Sequence, residues 1–127
     1  MSRRTTAAIA GLVAVAALAF APAALAKDGD VRVQGRCSGA ATSKLKLSEE
    51  DGRIEVEFEV DQNRNGVRWH VVLRRNGTPF FTGSRVTRPP SGSFELRRVT
   101  TDGPGTDVIT ARATSPSGQV CRATARF

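Results

Sequence analysis

Residues 61–66 carry the types of side chain that could bind a divalent cation. The run Asp61-Gln62-Asn63-Arg64-Asn65-Gly66 matches the opening D-x-N-x-N-G of a calcium-binding loop. The twelfth position of such a loop needs a bidentate glutamate, but Val72 stands there, and Arg64 adds a positive charge among the ligands. Asparagine and glycine are also the residues that a turn needs on conformational grounds. We therefore expect a turn here, and no bound metal or other cofactor.

Residues for catalysis are scarce in this chain. It has a single histidine, His70, and no serine in a nucleophile-elbow motif. The most closely spaced carboxylates, Glu55, Glu57 and Glu59, alternate with apolar residues, as on the outer face of a strand. Imidazole and thiolate groups are too few for a zinc or copper site. The sequence therefore predicts a protein that is not an enzyme.

Residues 1–26 have the order of a secretory signal peptide. Two arginines precede an apolar run that ends near Pro22, and small residues then lead to a cleavage position after Ala26. An uncleaved membrane anchor is an alternative, although the run is mostly alanine and Pro22 interrupts it. Twin-arginine and general secretory export both remain open. We expect a protein secreted to the extracellular space or the cell envelope, with no stable membrane insertion after cleavage.

The two cysteines of the chain, Cys37 and Cys121, both follow this leader. Export to an oxidising compartment makes a disulfide between them the expected state. The crosslink would close a loop of about 84 residues, to which the chain-entropy model assigns roughly 4–5 kcal/mol of stabilisation. With no further cysteine in the chain, we interpret the pair as structural.

Apolar and polar residues alternate through the rest of the chain, which is the period of β-strands. The clearest cases are Ile54–Val60 and Val67–Arg74. Weaker alternation occurs at Val31–Arg36, Lys44–Leu47, Phe80–Thr87, Ser93–Val99, Val108–Thr114 and Val120–Phe127. Turn residues separate these segments at regular intervals. The pattern predicts an all-β fold of seven or eight strands, arranged as an antiparallel two-sheet β-sandwich.

The two clearest strands also suggest a hairpin with a definite register. The expected cross-strand pairs are Val60–Val67, Glu59–Arg68, Phe58–Trp69 and Glu57–His70. In this arrangement opposite charges face each other on the outer side, and each such pair contributes a few tenths to about 1 kcal/mol. A slip by one residue would bury the glutamates. His70 is then expected to be a weakly paired surface residue.

The chain ends in a closing hairpin, Ile109–Cys121, and it has a tryptophan, Trp69, on the third strand of the unit. In these two features the chain resembles immunoglobulin-like and fibronectin type III β-sandwiches. The resemblance covers residues 44–127, and residues 27–43 are then an N-terminal extension with an edge strand and Cys37. The chain has no tyrosine, so the tyrosine corner of the family is missing. A leader followed by one small sandwich is similar to small secreted proteins of GC-rich bacteria.

The resemblance also implies where the loops lie. The turns at 61–66, 88–92 and 115–118 are expected at one end of the sandwich, and those at 48–52, 76–77 and 100–106 at the other. Loops of such domains often bind partners. The candidate binding residues at the first end are Asp61, Asn63, Arg64, Arg88 and Ser117.

The chain is strongly basic. Its formal net charge is +7, and about +5 remains once the leader is removed. Most of the basic residues are arginines, and acidic residues are interleaved with them along the chain. An affinity for an anionic wall polymer or an acidic polysaccharide is one interpretation, and GC-rich codon usage is another. Nucleic-acid binding is not expected, because the charges alternate in sign and aromatic residues are few.

Together these features favour a secreted, non-catalytic binding or interaction module that uses a loop end or an outer sheet face. The expected partner is an extracellular protein or an anionic polysaccharide. Two alternatives remain: a purely electrostatic binder of anionic wall polymer, and a small secreted hydrolase or protease inhibitor. An inhibitor would need a rigid exposed loop, for which Arg88-Pro89-Pro90 is the candidate.

Overall fold

The computed structural model describes residues 10, 11, 14 and 29–127, so the predicted leader lies outside the described residues except for Ala10, Gly11 and Ala14. Nine strands follow. They are β1 Val31–Gln34, β2 Arg36–Cys37, β3 Thr42–Glu50, β4 Arg53–Asp61, β5 Arg68–Arg75, β6 Thr78–Val86, β7 Ser93–Thr101, β8 Val108–Thr114 and β9 Val120–Arg126. Within the described part of the chain, no helix has the length and apolar character needed to cross a membrane.

The strands form two antiparallel sheets that pack face to face. The four-stranded sheet has the order β1-β3-β4-β7, and the five-stranded sheet has the order β2-β9-β8-β5-β6. The predicted all-β sandwich is confirmed. The structure has more strands than predicted because the first predicted strand, Val31–Arg36, is divided between the two sheets as β1 and β2. Both short strands lie at sheet edges.

Gly35 lies where the chain steps from one sheet to the other. Its amide donates a hydrogen bond to the Ser43 carbonyl oxygen at 2.8 Å, so the chain passes close against β3. A Cβ at this position would collide with the Ser43 hydroxyl and lie 2.8 Å from the Arg122 carbonyl oxygen. Only glycine avoids these contacts, which explains why the crossing occurs at this residue.

The core fills the space between the sheets with alternate residues of the long strands, except that β6 contributes only the partly buried Phe80 and Phe81. Phe58, Trp69 and Phe94 meet near its centre, and the ring centroids of Phe58 and Trp69 lie 6.4 Å and 6.5 Å from that of Phe94. Trp69 is fully buried, and its indole nitrogen donates a hydrogen bond to the Gln62 side-chain oxygen at 2.9 Å. This bond satisfies the polar atom that burial would otherwise leave without a partner.

The predicted hairpin between Ile54–Val60 and Val67–Arg74 is wrong. Strands β4 and β5 belong to different sheets, and residues 62–67 carry the chain across the sandwich. Phe58 and Trp69 do both face the core, but from opposite sides. Alternation tells which side of a strand is buried, but it does not tell which sheet contains the strand.

The glutamates of β4 therefore have other partners than those predicted. Glu59 faces Lys44 and Glu57 faces Lys46 on β3, while Glu57 also faces Arg97 on β7. His70 is exposed, as expected, but it lies opposite Thr114 and Ser84 in the other sheet, so its predicted pairing with Glu57 is wrong.

The predicted disulfide is present. Cys37 and Cys121 lie directly opposite each other on β2 and β9, with their Cα atoms 4.0 Å apart. The bond fastens a two-residue edge strand to the last strand of the fold. Further hydrogen bonds hold the same segment, because the Val120 amide donates to the Ser38 hydroxyl and the Ala41 amide donates to the Gln119 side-chain oxygen.

Candidate functional site

Two of the loops with predicted binding residues pack against each other. The Gln62 amide donates to the Gly92 carbonyl oxygen at 3.0 Å, and the Gly66 amide donates to the Thr87 carbonyl oxygen at 2.8 Å. The Thr87 hydroxyl is buried between them, where it donates to the Arg64 carbonyl oxygen and accepts from the Val67 amide. The loops 61–66 and 88–92 are thus joined by a direct backbone hydrogen bond and by further bonds through Thr87.

Residues Asp61 and Asn63 build the turn of the first loop. The Asp61 carboxylate accepts a hydrogen bond from the Asn63 amide at 3.0 Å, and Asn63 has a φ of 56°. Asparagine tolerates this left-handed conformation better than most residues do. The turn geometry thus explains the presence of an aspartate at position 61 and an asparagine at position 63. The Arg64 side chain is exposed beside them.

Arg88 presents its side chain to solvent but not its backbone. Its carbonyl oxygen accepts from the amides of Gly92 and Ser93, and its own amide donates to the Ser93 carbonyl oxygen. The peptide bond Pro89–Pro90 that follows is cis. A substrate-like inhibitor would need the Arg88 carbonyl group free to enter the active site of a protease. Because this oxygen accepts two hydrogen bonds within the loop, the geometry does not favour the inhibitor alternative.

Ser117 lies on a third loop at the same end of the sandwich, the turn between β8 and β9, as the sequence predicted. Its exposed hydroxyl is 2.9 Å from the hydroxyl of the buried Ser115, which accepts from the Gln119 amide. Since Thr114 pairs with His70, this turn lies at the same end of the five-stranded sheet as the start of β5. Of the predicted binding residues, Asp61, Asn63, Arg64 and Arg88 therefore lie on two loops that are hydrogen-bonded to each other, and Ser117 lies on another loop at the same end.

The charges of the four-stranded sheet are paired across its outer face. Lys44 lies 3.6 Å from Glu59, and Lys46 lies 3.5 Å from Glu57. Arg97 forms ion pairs with Glu57 and, at 3.7 Å, with Glu55. Carboxylates are crowded at one end of this face, where a hydrogen bond with Glu50, followed by burial, raises the pKa of Glu55. Most of the charged side chains on this face thus have a partner of opposite sign.

The five-stranded sheet is entirely different, because its strands contain arginines and no acidic residue. The arginines are Arg36, Arg68, Arg74, Arg75, Arg85, Arg112, Arg122 and Arg126. Arg75 is paired with Asp107 at 2.7 Å, and Arg85 lies over the ring of Phe81. The other six alternate with buried residues and point outwards. We call this surface the arginine face: Arg36, Arg68, Arg74, Arg112, Arg122 and Arg126.

Within residues 29–127 none of the six arginines of this face forms an ion pair. All but Arg74 are exposed, and Arg74 is half-buried. The face also contains His70, threonines and valines, but no tryptophan or phenylalanine. Two shallow depressions lie on it. One of about 440 Å³ is lined by Arg68, His70 and Arg112, and one of about 760 Å³ by Arg36, Ser38 and Arg122.

Three of these arginines lie in one line across the strands. Arg36 on β2 is directly opposite Arg122 on β9, and Arg122 is directly opposite Arg112 on β8. We call these three residues the arginine row. Like charges placed directly opposite each other in a sheet are destabilising. The outer surface of this sheet therefore carries a concentration of positive charge that lowers the stability of the fold.

Sequence reasoning missed this face because acidic and basic residues alternate along the chain as a whole. The acidic residues, however, belong to the strands of the other sheet and to loops. A usable signal was present in the segments Val67–Arg74, Val108–Thr114 and Val120–Phe127, none of which contains aspartate or glutamate. Reading that signal required knowing that these segments are neighbours.

Neither a protein-family model nor a curated protein matches this chain.

Proposed function

We propose that this protein is an exported, non-catalytic binding module whose arginine face binds an anionic polysaccharide. The observation that carries the proposal is the separation of charge between the two sheets. On the four-stranded sheet the carboxylates of β4 pair with lysines and Arg97, whereas six arginines of the five-stranded sheet have no acidic partner within residues 29–127.

An anionic ligand would compensate this charge. A surface lined by one sign of charge attracts oppositely charged polymers and accelerates their association. Arginine suits this task, because its planar guanidinium group matches carboxylate and sulfate or phosphate groups with two parallel hydrogen bonds. The flat outer surface of a sheet, with shallow depressions only, fits an extended chain better than a small compact ligand.

A polysaccharide is favoured over a nucleic acid by two features. The leader predicted at residues 1–26 and the Cys37–Cys121 disulfide support a location outside the cytosol. The arginine face also lacks tryptophan and phenylalanine, so it has no platform on which unpaired bases would stack.

The strand order supports a place for this sandwich among the immunoglobulin-like and fibronectin type III folds. Strands β9, β8 and β5 are neighbours in that order, as the last, penultimate and third strands are in such domains, if β3 is taken as the first. The buried Trp69 lies on β5, which is the position of the buried tryptophan in immunoglobulin domains. The disulfide departs from that family, since it joins neighbouring strands of one sheet.

Export of the chain is tested by intact mass. When the full chain is expressed in an exporting host, the protein recovered from the medium is expected to have the mass of residues 27–127 less two hydrogens. Mass spectrometry with and without reductant measures both the cleavage and the disulfide. Recovery of the full-length chain in the membrane fraction would contradict export as a cleaved protein.

Removal of charge from the arginine face is expected to weaken binding. The triple variant Arg68→Gln, Arg112→Gln, Arg122→Gln should bind immobilised polygalacturonate about ten-fold more weakly than the wild type, and rising salt should weaken both. The matched control removes the same charge from the other sheet with Arg32→Gln, Lys44→Gln and Arg53→Gln. Equal losses for the two triple variants, measured by interferometry at several salt concentrations, would show that net charge and not this face binds the polymer.

A further inference from the structure

The arginine row places positive charge more densely across the strands than along them. Neighbouring strands are about 4.8 Å apart, so Arg36, Arg122 and Arg112 arise within about 10 Å of each other. Along β9 the next arginine after Arg122 is Arg126, about 13 Å away, with Thr124 between them. The positive charges of the arginine face are therefore most closely spaced in the direction perpendicular to the strands.

Nothing in the fold requires this alignment. The three side chains are exposed and contribute nothing to the core, so uncharged residues would serve the sheet equally well. Their neighbours on β8 and β9 are Thr110, Thr114, Val120 and Thr124, which carry no negative charge. In this register Arg122 is repelled by Arg36 on one side and by Arg112 on the other, and no neighbouring carboxylate on β8 or β9 offsets the repulsion.

We infer that the arginine row is a distinct subsite for a densely charged polysaccharide whose chain lies across the strands β2, β9 and β8. This inference rests on the proposed function and adds the class of ligand and its direction. To neutralise the row, the polymer must carry a negative charge about every 5 Å, since that is the spacing of the strands. A polymer whose charges lie twice as far apart would engage at most two of the three arginines at a time.

Two natural polymers with the same acidic group test the required charge spacing. Polygalacturonate carries a carboxylate on every sugar, and hyaluronate carries one on every second sugar. With chains of matched length, the wild type is expected to bind polygalacturonate about ten-fold more tightly than hyaluronate. Equal affinity for the two polymers would overturn the inference.

A pair of variants with equal charge tests the place of the subsite. The row variant is Arg36→Gln with Arg122→Gln, and the matched control is Arg68→Gln with Arg126→Gln, which removes two arginines of the same face outside the row. The row variant should lose about ten-fold in affinity for polygalacturonate and should no longer prefer it to hyaluronate. The control variant should lose less than about three-fold and keep the preference.

Thermal unfolding without ligand gives a second, independent readout. Because Arg122 faces a like charge on either side, the row variant should unfold at a temperature about 2–6 °C higher than the wild type in low salt. The gain should shrink in high salt, where exposed charges are screened. The control variant should unfold within about 2 °C of the wild type.

The outcomes separate the two proposals. If both double variants lose the same affinity, the arginine face still binds the polymer, but the row is not a distinct subsite. If the wild type binds neither polymer, the proposed function fails and this inference fails with it. If double-stranded DNA displaces polygalacturonate and binds more tightly, a nucleic acid is the ligand and the polysaccharide assignment is overturned.

Discussion

Replacement of Cys37 and Cys121 by alanine is expected to lower the free energy of unfolding by about 4–5 kcal/mol. The disulfide joins residues separated by 84 positions, so its loss releases a long closed loop in the unfolded chain. Small domains have a total stability of about 5–15 kcal/mol, so the double variant would keep only part of its stability. Urea unfolding followed by tryptophan fluorescence of Trp69 measures the change.

The control for this experiment is Ser38→Ala. It removes the hydrogen bond from the Val120 amide to the Ser38 hydroxyl while the disulfide remains. The expected loss is about 1 kcal/mol, the ordinary contribution of one hydrogen bond. The double cysteine variant should also show a larger dependence on urea, because an uncrosslinked chain exposes more surface on unfolding. A loss below about 1 kcal/mol for the cysteine variant would contradict the entropic explanation.

The second large effect is expected at Asp107, where replacement by alanine should cost about 3–5 kcal/mol. Asp107 is buried just before β8. One of its oxygens accepts from Arg75 and from the Asn76 side chain at 3.0 Å, and the other accepts from the Gly103 amide at 2.9 Å. The carboxylate thus joins the β5–β6 turn to the loop before β8, and its removal leaves Arg75 and two further donors without an acceptor.

The effect of Asp107 should depend on pH in a definite direction. Burial alone raises the pKa of this carboxyl, but the hydrogen bonds from Gly103, Asn76 and Arg75 outweigh burial and lower the pKa below its usual value of 3.8. A group with a lowered pKa stabilises the fold above its unfolded pKa, and the stabilisation is lost as the pH falls through the folded pKa. The difference between wild type and Asp107→Ala should therefore be constant near neutral pH and shrink below about pH 4.

A surface carboxylate provides the comparison for Asp107. Glu95 is 52% exposed, and its carboxylate lies 3.5 Å from Arg97 on the same strand. Glu95→Ala should change stability by no more than about 0.5 kcal/mol, since exposed ion pairs contribute little. A cost for Asp107→Ala that is equally small, or that persists undiminished at acidic pH, would contradict the role given to this carboxylate.

The positions of most strands could be predicted from the sequence because alternation is a local property. The segments Ser93–Val99 and Val108–Thr114 differ from β7 and β8 by two residues at most. Pairing is not local. The connection after Asp61 is short enough for a hairpin, and the residues of β4 and β5 alternate equally well in a hairpin or in two separate sheets. The choice depends on how β3 and β7 compete for the edges of β4.

The predicted charge pairs between β4 and β5 were wrong for the same reason, because pairing is not a local property. In the sequence, the glutamates of β4 are complementary in charge to the positive residues of β5. In the fold, however, Lys44, Lys46 and Arg97 lie beside these glutamates. Arg68 lies in the other sheet, whose five strands contain no acidic residue within residues 29–127. The arginine face therefore arises from the division of strands between sheets, which no window along the chain reveals.

The Cys37–Cys121 bond also determines how the molecule bears mechanical load. A force that pulls residue 29 away from residue 127 passes from one cysteine directly to the other, because the intervening chain is a closed loop on that bond. Once β1 has detached from β3, and the residues after Cys121 from β8, the backbone of strands β3 to β8 carries none of the tension, and only the short flanking segments are extended. Under shear at a surface, extension of the chain would stop at the disulfide until a covalent bond breaks.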